Sequence, residues 1–292
     1  MRVGLVAVVG RPNVGKSSLV NQLVGAKVSI ISTRPQTTRA TIRGARHGDD
    51  FQLVLVDTPG LHRPRMPVGE RLNRQVHGSL TDADLVLMVI DATQPIGPGD
   101  RLVAEAADET GRPVVLAVNK VDRARPHQIA EQLSKAAEWN LAAYVPVSAR
   151  TGEGIDQLRR ELVARLPAGE PLFLSDQVTD QPEEFQVAEL IREKFLDRLD
   201  DELPHSLLVS VEAIEDRGSH IRVEADVIVE RKSQKGIVIG AGGQLLSAAG
   251  SEARLELEQR WQKQVHLELR VRVEDDWQRR PQLLDRLGFP DR

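Results

Sequence analysis

Gly10-Arg11-Pro12-Asn13-Val14-Gly15-Lys16-Ser17 stands between an apolar run, Leu5–Val9, and a helical pattern, Lys16–Leu23. It fits G-x-x-x-x-G-K-[ST] in the strand–loop–helix setting that this pattern needs. The glycines let backbone N–H groups turn inward around an anion, and the N-terminus of the following helix adds its dipole. Lys16 is placed to reach the β- and γ-phosphates of a nucleotide, and Ser17 to bind Mg²⁺. The plain alternative is a glycine turn with an exposed lysine, and the flanking elements speak against it.

Working outward, short apolar runs alternate with longer amphipathic stretches. Strand candidates are Leu5–Val9, Phe51–Val56, Leu85–Ile90, Val114–Val118 and Ala143–Pro146. They are rich in Val, Leu and Ile with little alternation, as strands buried on both faces read. Helical patterns cover Lys16–Leu23, Leu72–Leu80, Gly99–Thr110, Gln128–Trp139 and Gly154–Arg165. The repetition predicts an α/β domain over 1–168 with a mostly parallel sheet and helices on both faces. Residues 169–182 hold prolines, a glycine and several acidic residues without periodicity, and read as a linker.

Three further motifs fall at strand ends. Asp57-Thr58-Pro59-Gly60 follows Leu53–Val56; a carboxylate there can hold Mg²⁺ through water, and the Gly60 N–H can sense a γ-phosphate. Asn119-Lys120-Val121-Asp122 ends the run Val114–Val118. Its Asp122 can accept two hydrogen bonds from the N1–H and N2–H₂ edge of guanine, a donor pair that adenine lacks, and the Lys120 stem can cover the base. Ser148-Ala149-Arg150 follows Val147, where a backbone N–H can meet guanine O6. Ligands of open α/β sheets bind at strand C-termini, so the joint coincidence is stronger than any one match. The combination resembles the small GTPases of the translation-factor type, with GTP or GDP and Mg²⁺ as cofactors.

Between these motifs lies Ser32-Thr33-Arg34-Pro35-Gln36-Thr37-Thr38-Arg39, polar and aperiodic. GTPases use a threonine of this loop to close on Mg²⁺ and γ-phosphate; Thr38 is the first choice and Thr37 the second. After Gly60 comes Leu61, where many GTPases have a glutamine that orients the attacking water. Leucine cannot do this. GTPases with P-N-V-G-K-S and an apolar residue after D-x-P-G resemble a potassium-assisted class, which implies K⁺ held by Asn13. The residues expected to act in hydrolysis are then Lys16, Thr38, Gly60 and Asn13, with Ser17, Thr38 and Asp57 around the metal.

After the linker the pattern changes. A helix is expected at about Glu184–Leu203, then strands Ser206–Ile214 and His220–Glu230 around the turn Asp216-Arg217-Gly218. A short helical stretch at Ile237–Ile239, a glycine loop Gly240-Ala241-Gly242-Gly243, a helix from about Gln244 to Gln262 and an alternating strand Val265–Val273 complete an α+β unit over 183–292. G-x-x-G loops of KH domains let a nucleic-acid backbone approach and clamp about four nucleotides, and Arg231, Lys232, Lys235 and Arg254 are candidate phosphate contacts. The order resembles the type II KH arrangement.

The stretches GRPNVGKSSLVNQLVG, STRPQTTR, DTPGLH, NKVD, AELIREK, ELPHSL, VERKSQKGIVIG and VHLELRVRV are collinear with the Era family of bacterial ribosome-assembly GTPases, which the chain resembles over nearly its whole length. That resemblance implies binding to the 3′ region of small-subunit ribosomal RNA during assembly of the small ribosomal subunit. It also implies a cytoplasmic protein, a monomer, with peripheral association at the cytoplasmic face of the cell membrane. One departure stands out: the clamp loop carries Ala241-Gly242 and then Gln244, where the family often has a lysine.

Composition bounds the rest. With 292 residues the chain suits two domains, and without cysteine it has neither a disulfide framework nor a thiolate site. The start runs directly into an apolar strand, so no secretory leader is expected. A net charge of −4 argues against a general polyanion binder. Charge is uneven: residues 183–226 hold five Lys/Arg against thirteen Asp/Glu, whereas residues 231–263 hold six against three. Nucleic acid would therefore meet a local basic face. The rival readings are a GTP-regulated protein-binding module without RNA and, less compatible with Asp122, a metabolic kinase.

Overall fold

A computed structural model describes residues 1–32, 34, 37–60, 67–199, 203–280 and 284. They fall into two compact units, one reaching Asp180 and the other starting at Gln181.

The first unit contains strands β1 (Arg2–Val9), β2 (Ile42–His47), β3 (Phe51–Asp57), β4 (Leu85–Asp91), β5 (Val114–Asn119) and β6 (Ala143–Pro146). Its helices are α1 (Lys16–Val24), α2 (Pro67–Asp82), α3 (Pro98–Asp108), α4 (Pro126–Ala136) and α5 (Ile155–Arg165). The sheet order is β2-β3-β1-β4-β5-β6, with β2 antiparallel to β3 and every other pair parallel. Successive residues of β1 point to opposite faces, and both faces are buried: Val6 and Val8 join Leu19, Leu23, Leu158 and Leu162, while Ala7 and Val9 join Val76, Leu80 and Val103. Every residue of β4 and β5 is buried, which is why these strands read as unbroken apolar runs. The order reverses at β1, whose neighbours are β3 and β4. The phosphate-loop motif lies where the crevice of such a sheet opens.

Two features depart from the sequence reading. Strand β2 was not expected, because Ile42-Arg43-Gly44-Ala45-Arg46-His47 mixes charges into an edge position. The segment read as a linker belongs, up to Asp180, to the first unit. Gln52 holds it: its Oε1 accepts from Leu172 N and Phe173 N at 2.6 and 2.9 Å, and its Nε2 donates to Phe173 O at 2.8 Å. Phe173 packs with Ala45 and Val54. Ala45 N then donates to Val178 O at 2.8 Å, and Thr179 Oγ1 to Arg43 O at 2.7 Å. The segment thereby covers the open edge of β2, which would otherwise present unpaired backbone groups.

The second unit comprises α6 (Glu183–Leu196), α7 (Leu203–Ser206), β7 (Leu208–Asp216), β8 (His220–Val229), α8 (Lys232–Ile239), α9 (Gln244–Trp261) and β9 (Gln264–Val273). The sheet is β7-β8-β9, antiparallel then parallel. The helix expected to reach Leu203 ends at Leu196, and a separate turn forms α7. Alternate residues of β8 and β9 (Val223, Ala225, Val227; Val265, Val271) pack under α6 and α9, on Val187, Ile191, Ala249, Ala253 and Leu257. Arg222, Glu224, Glu268 and Arg270 form a cross-strand ion-pair network, with 2.6 to 3.3 Å between partners.

Candidate functional site

The phosphate-loop motif turns from β1 into α1 through residues that only some side chains allow. Gly15 has φ +97°, and a Cβ there would fall 2.3 Å from Asn119 Nδ2. Asn13 also takes positive φ, +64°, a conformation asparagine tolerates better than most. Lys16 is buried and folds back to donate to the carbonyls of Gly10 and Arg11, both at 3.1 Å. Burial lowers its pKa to about 8, against the opposing pull of Asp57.

Asp57 ends β3 with no solvent exposure. Ser17 Oγ and Thr38 Oγ1 lie 2.9 Å apart, and Thr38 Oγ1 is 3.5 Å from Asp57 Oδ2. Of the two threonines considered, Thr38 is therefore the one whose hydroxyl meets the Ser17–Asp57 pair. Asp57 Oδ1 is buried without a hydrogen-bond donor, and burial pushes the carboxyl up, against the charge of Lys16. An orphaned buried oxygen costs roughly 1–3 kcal/mol. A carboxylate and two hydroxyls at one point suit a hard cation that keeps water and phosphate oxygens as its other ligands. No cluster of three His, Cys, Asp or Glu residues suited to a metal occurs among the described residues, so this site has a single carboxylate.

Thr58, expected at the ligand, instead donates its hydroxyl to Val8 O at 2.7 Å and is fully buried. It ties the ends of β1 and β3 together. Gly60 packs against Pro12: a Cβ there would come within 2.8 Å of Pro12 N and Cγ. Leu61 lies outside the described residues.

The Asn119–Asp122 motif does two jobs. Asn119 stitches loops together, with Nδ2 donating to Val14 O at 2.9 Å and Oδ1 accepting from Ala149 N at 3.0 Å. Lys120 reaches Asn13 O at 2.6 Å and Asp91 Oδ2 at 2.7 Å. Asp122 accepts from Ser148 Oγ at 2.6 Å and pairs with Arg150 at 2.7 Å. The Ser148 hydrogen bond, then the Arg150 charge, hold this carboxyl below its ordinary range, so it is an acceptor at neutral pH. The four motifs are thus joined by direct contacts: Ser17 to Thr38 and Asp57, Val14 to Asn119, and Asn119 to Ala149.

Sequence reasoning missed Asp91, Asp100 and Asn21. Asp91 anchors Lys120. Burial pushes its carboxyl up, but hydrogen bonds from Lys120 and Thr93 outweigh this and hold it low. Asn21 accepts from Val28 N and Ser29 N at 2.9 Å and donates to Ser29 O at 2.7 Å, fixing the chain that leads toward Thr38. Asp91 ends a buried strand beside the phosphate loop, and that position was the available signal.

In the second unit, Gly240, Gly242 and Gly243 all have positive φ between α8 and α9. A Cβ at Gly242 or Gly243 would meet nothing within 4 Å, so these glycines leave an open surface rather than fill a tight turn. Beside the loop is a groove of about 350 Å³, with Gly243, Leu246, Ser247, Gly250, Arg254 and Leu269 in its lining. Its apolar floor comes from the inward side of the alternation on β9 together with α9. Arg254 is held by Glu258 at 2.7 Å, and the same Glu258 oxygen accepts Val265 N at 3.1 Å. Of the expected RNA contacts, the groove lining includes Gly243 and Arg254. Ala241 and Gly242 are exposed on the loop; Arg231, Lys232 and Lys235 are exposed at and just before the start of α8, outside the lining.

Comparison with known proteins agrees with both units. A family model described as 50S ribosome-binding GTPase matches residues 5–120, and a KH domain model matches residues 202–278. GTPase Era of Mycobacterium tuberculosis (strain H37Rv) is 49% identical, with 98% of each chain covered. GTPase Era of Mycobacterium sp. (strain JLS) is 48% identical, with 99% of each covered. A crystal structure of an Aquifex aeolicus Era variant bound to GDP·AlF4⁻ superposes with a TM-score of 0.96 at 36% identity, covering 99% of this chain and 100% of that one. An Era structure in complex with MgGDPNP and nucleotides 1506–1542 of 16S ribosomal RNA gives 0.94 at 36% identity, with 99% of each covered. The chain belongs to the Era family of GTPases.

Proposed function

We propose that this GTPase is a nucleotide-controlled switch that binds the 3′ region of small-subunit ribosomal RNA in the assembly of the small ribosomal subunit, working as a cytoplasmic monomer. Residues 1–168 are its GTP-binding part, 183–292 its RNA-binding part, and 169–182, packed on the first unit as far as Asp180, lead from one to the other. The observation that carries the reading is the meeting of Lys16, Ser17, Thr38 and Asp57, whose Oδ1 lacks a donor, at the end of one sheet, linked by contacts to the Asn119–Asp122 and Ser148–Ala149 loops.

In this reading the backbone of Gly10–Ser17 cradles the phosphates, Lys16 leaves its two carbonyls to reach the β- and γ-phosphates, and Asp122 selects guanine. Ser17, Thr38 and Asp57 hold Mg²⁺, which supplies positive charge against phosphate oxygens when bound. The Gly60 N–H reports the γ-phosphate. Leu61 has no group to orient water, so Asn13 is assigned to a K⁺ that supplies further positive charge. Turnover in matched K⁺ and Na⁺ buffers checks this: a higher rate in K⁺ is expected, and equal rates would remove K⁺ from the account.

The RNA half rests on the relatives and on the open glycine loop beside an apolar groove. With no lysine in the loop, its backbone N–H groups and Arg254 make the phosphate contacts, aided by Arg231, Lys232 and Lys235. No helix among the described residues is long and apolar enough to cross a membrane, and no observation favours the membrane association implied by the resemblance. The deciding experiment measures affinity for a single-stranded RNA carrying the 3′ end of the small-subunit RNA, with GDP and with a non-hydrolysable GTP analogue, across salt. Tighter binding in the GTP-like state, weakening steeply with salt, is expected. Binding absent in both states would favour the protein-binding alternative.

A further inference from the structure

Arg11 opens the phosphate loop, and its side chain leaves the site. Its Nε donates to Asp100 Oδ1 at 2.8 Å, across 89 residues of sequence. Asp100 is a firm anchor: its side chain is 2% exposed, and its Oδ2 accepts Gly97 N at 2.9 Å in the first turn of α3. The arginine stem lies across Gly99, where a Cβ would fall 2.6 Å from Arg11 Cδ. Arg11 O is one of the two carbonyls that receive Lys16 Nζ. The loop is therefore held from two sides. Asn119 and Lys120 fix Val14 and Asn13 by their carbonyls, whereas the Gly10–Arg11 half, on which Lys16 rests, is tied to α3.

We propose that Asp100 is a positioning residue for the phosphate loop, acting through Arg11 to set the backbone on which Lys16 waits. Because the carboxylate is buried, removing its partner leaves a desolvated charge, an effect larger than that of an exposed pair. The tether bears on the phosphates and not on the base, which Asp122 reads at the far side of the site. The inference rests on the proposed role of Lys16 as a phosphate ligand.

The test compares GDP and GMP affinity for the full-length chain and its Arg11→Ala, Asp100→Ala and doubly substituted forms. Each single change is expected to weaken GDP about 10-fold with GMP within about 2-fold, and the double change to be no worse than the worse single, as for two partners of one interaction. Arg11→Ala keeps the Asp100–Gly97 hydrogen bond, so its effect cannot come from fraying of α3, and it stands alone if Asp100→Ala does not fold. Equal weakening of GDP and GMP, additive losses, or no loss would overturn the tether. Lys16→Ala separates the two layers: if it leaves GDP affinity intact, the phosphate-ligand reading fails first; if it abolishes binding while Arg11→Ala is silent, only the tether fails.

Discussion

The phosphate-loop site of the first unit and the groove of the second follow opposite designs. The first is built from buried polar groups: Lys16, Thr38, Asp57, Thr58 and Ser148 are all buried, and apart from Asp57 Oδ1 their side-chain polar atoms meet partners inside the protein. The second is built from what is missing. Its glycine loop offers open backbone, its floor is leucine, and its one lining cation is shared with Glu258. Buried polar sites discriminate strongly because a wrong ligand leaves desolvated groups unpaired. Open glycine surfaces admit a backbone of any sequence, and charge then sets the affinity.

The contrast ranks the expected effects. Lys16→Ala removes the cation of the buried site and is expected to cost about 4 kcal/mol, roughly 1,000-fold in GDP affinity; a loss under 10-fold, by calorimetry, would mean the site is less buried in function than in structure. Asp122→Asn exchanges an acceptor for a donor opposite the base. Preference should move from GTP toward xanthosine triphosphate by about 100-fold in competition, and retained GTP preference rejects the assignment. Gly242→Asp places a negative side chain on the open loop at a φ that aspartate tolerates. It should lower RNA affinity about 10-fold with GTP affinity unchanged, and undiminished RNA binding takes the loop out of the interface.

The smallest effect concerns pH. Lys16 has a folded pKa near 8, below its ordinary 10.5. Between these values the unfolded chain holds the proton and the folded chain does not, so stability of the nucleotide-free protein should rise with pH across that window. Phosphate binding needs the protonated amine, so GDP affinity should fall over the same window, by no more than the roughly tenfold per unit that one proton allows. Lys16→Met should flatten both curves; if the wild-type stability curve is already flat there, the lysine is not desolvated.

Legibility in the sequence followed the same divide between local and distant. Loops governed by backbone turns could be read, because Gly15 or the Asp57–Gly60 turn acts within a few residues of itself. The parallel strands could be read because burial on both faces leaves unbroken apolar runs. Strand β2 could not: Ile42 and Ala45 are buried, but Arg43, Arg46 and His47 break up the apolar run, so its stability is read only from pairing with β3 and from Val178 and Thr179. The same holds for 169–180, whose irregular sequence resembles a tether until Gln52 and Phe173 are seen holding it to the sheet edge. Arg11 and Thr58 lie inside nucleotide motifs, yet their side chains bind Asp100 and Val8, partners that no local pattern names.

The sequence by itself determined the fold class, the guanine-nucleotide motifs and the glycine loop, since each depends on residue types at short, fixed spacing. Only the tertiary structure decided which threonine meets the Ser17–Asp57 pair, what Asp91 and Asp100 anchor, and which cation lines the groove. Those choices depend on distances between residues far apart in the chain, which packing of the core sets and no local pattern records.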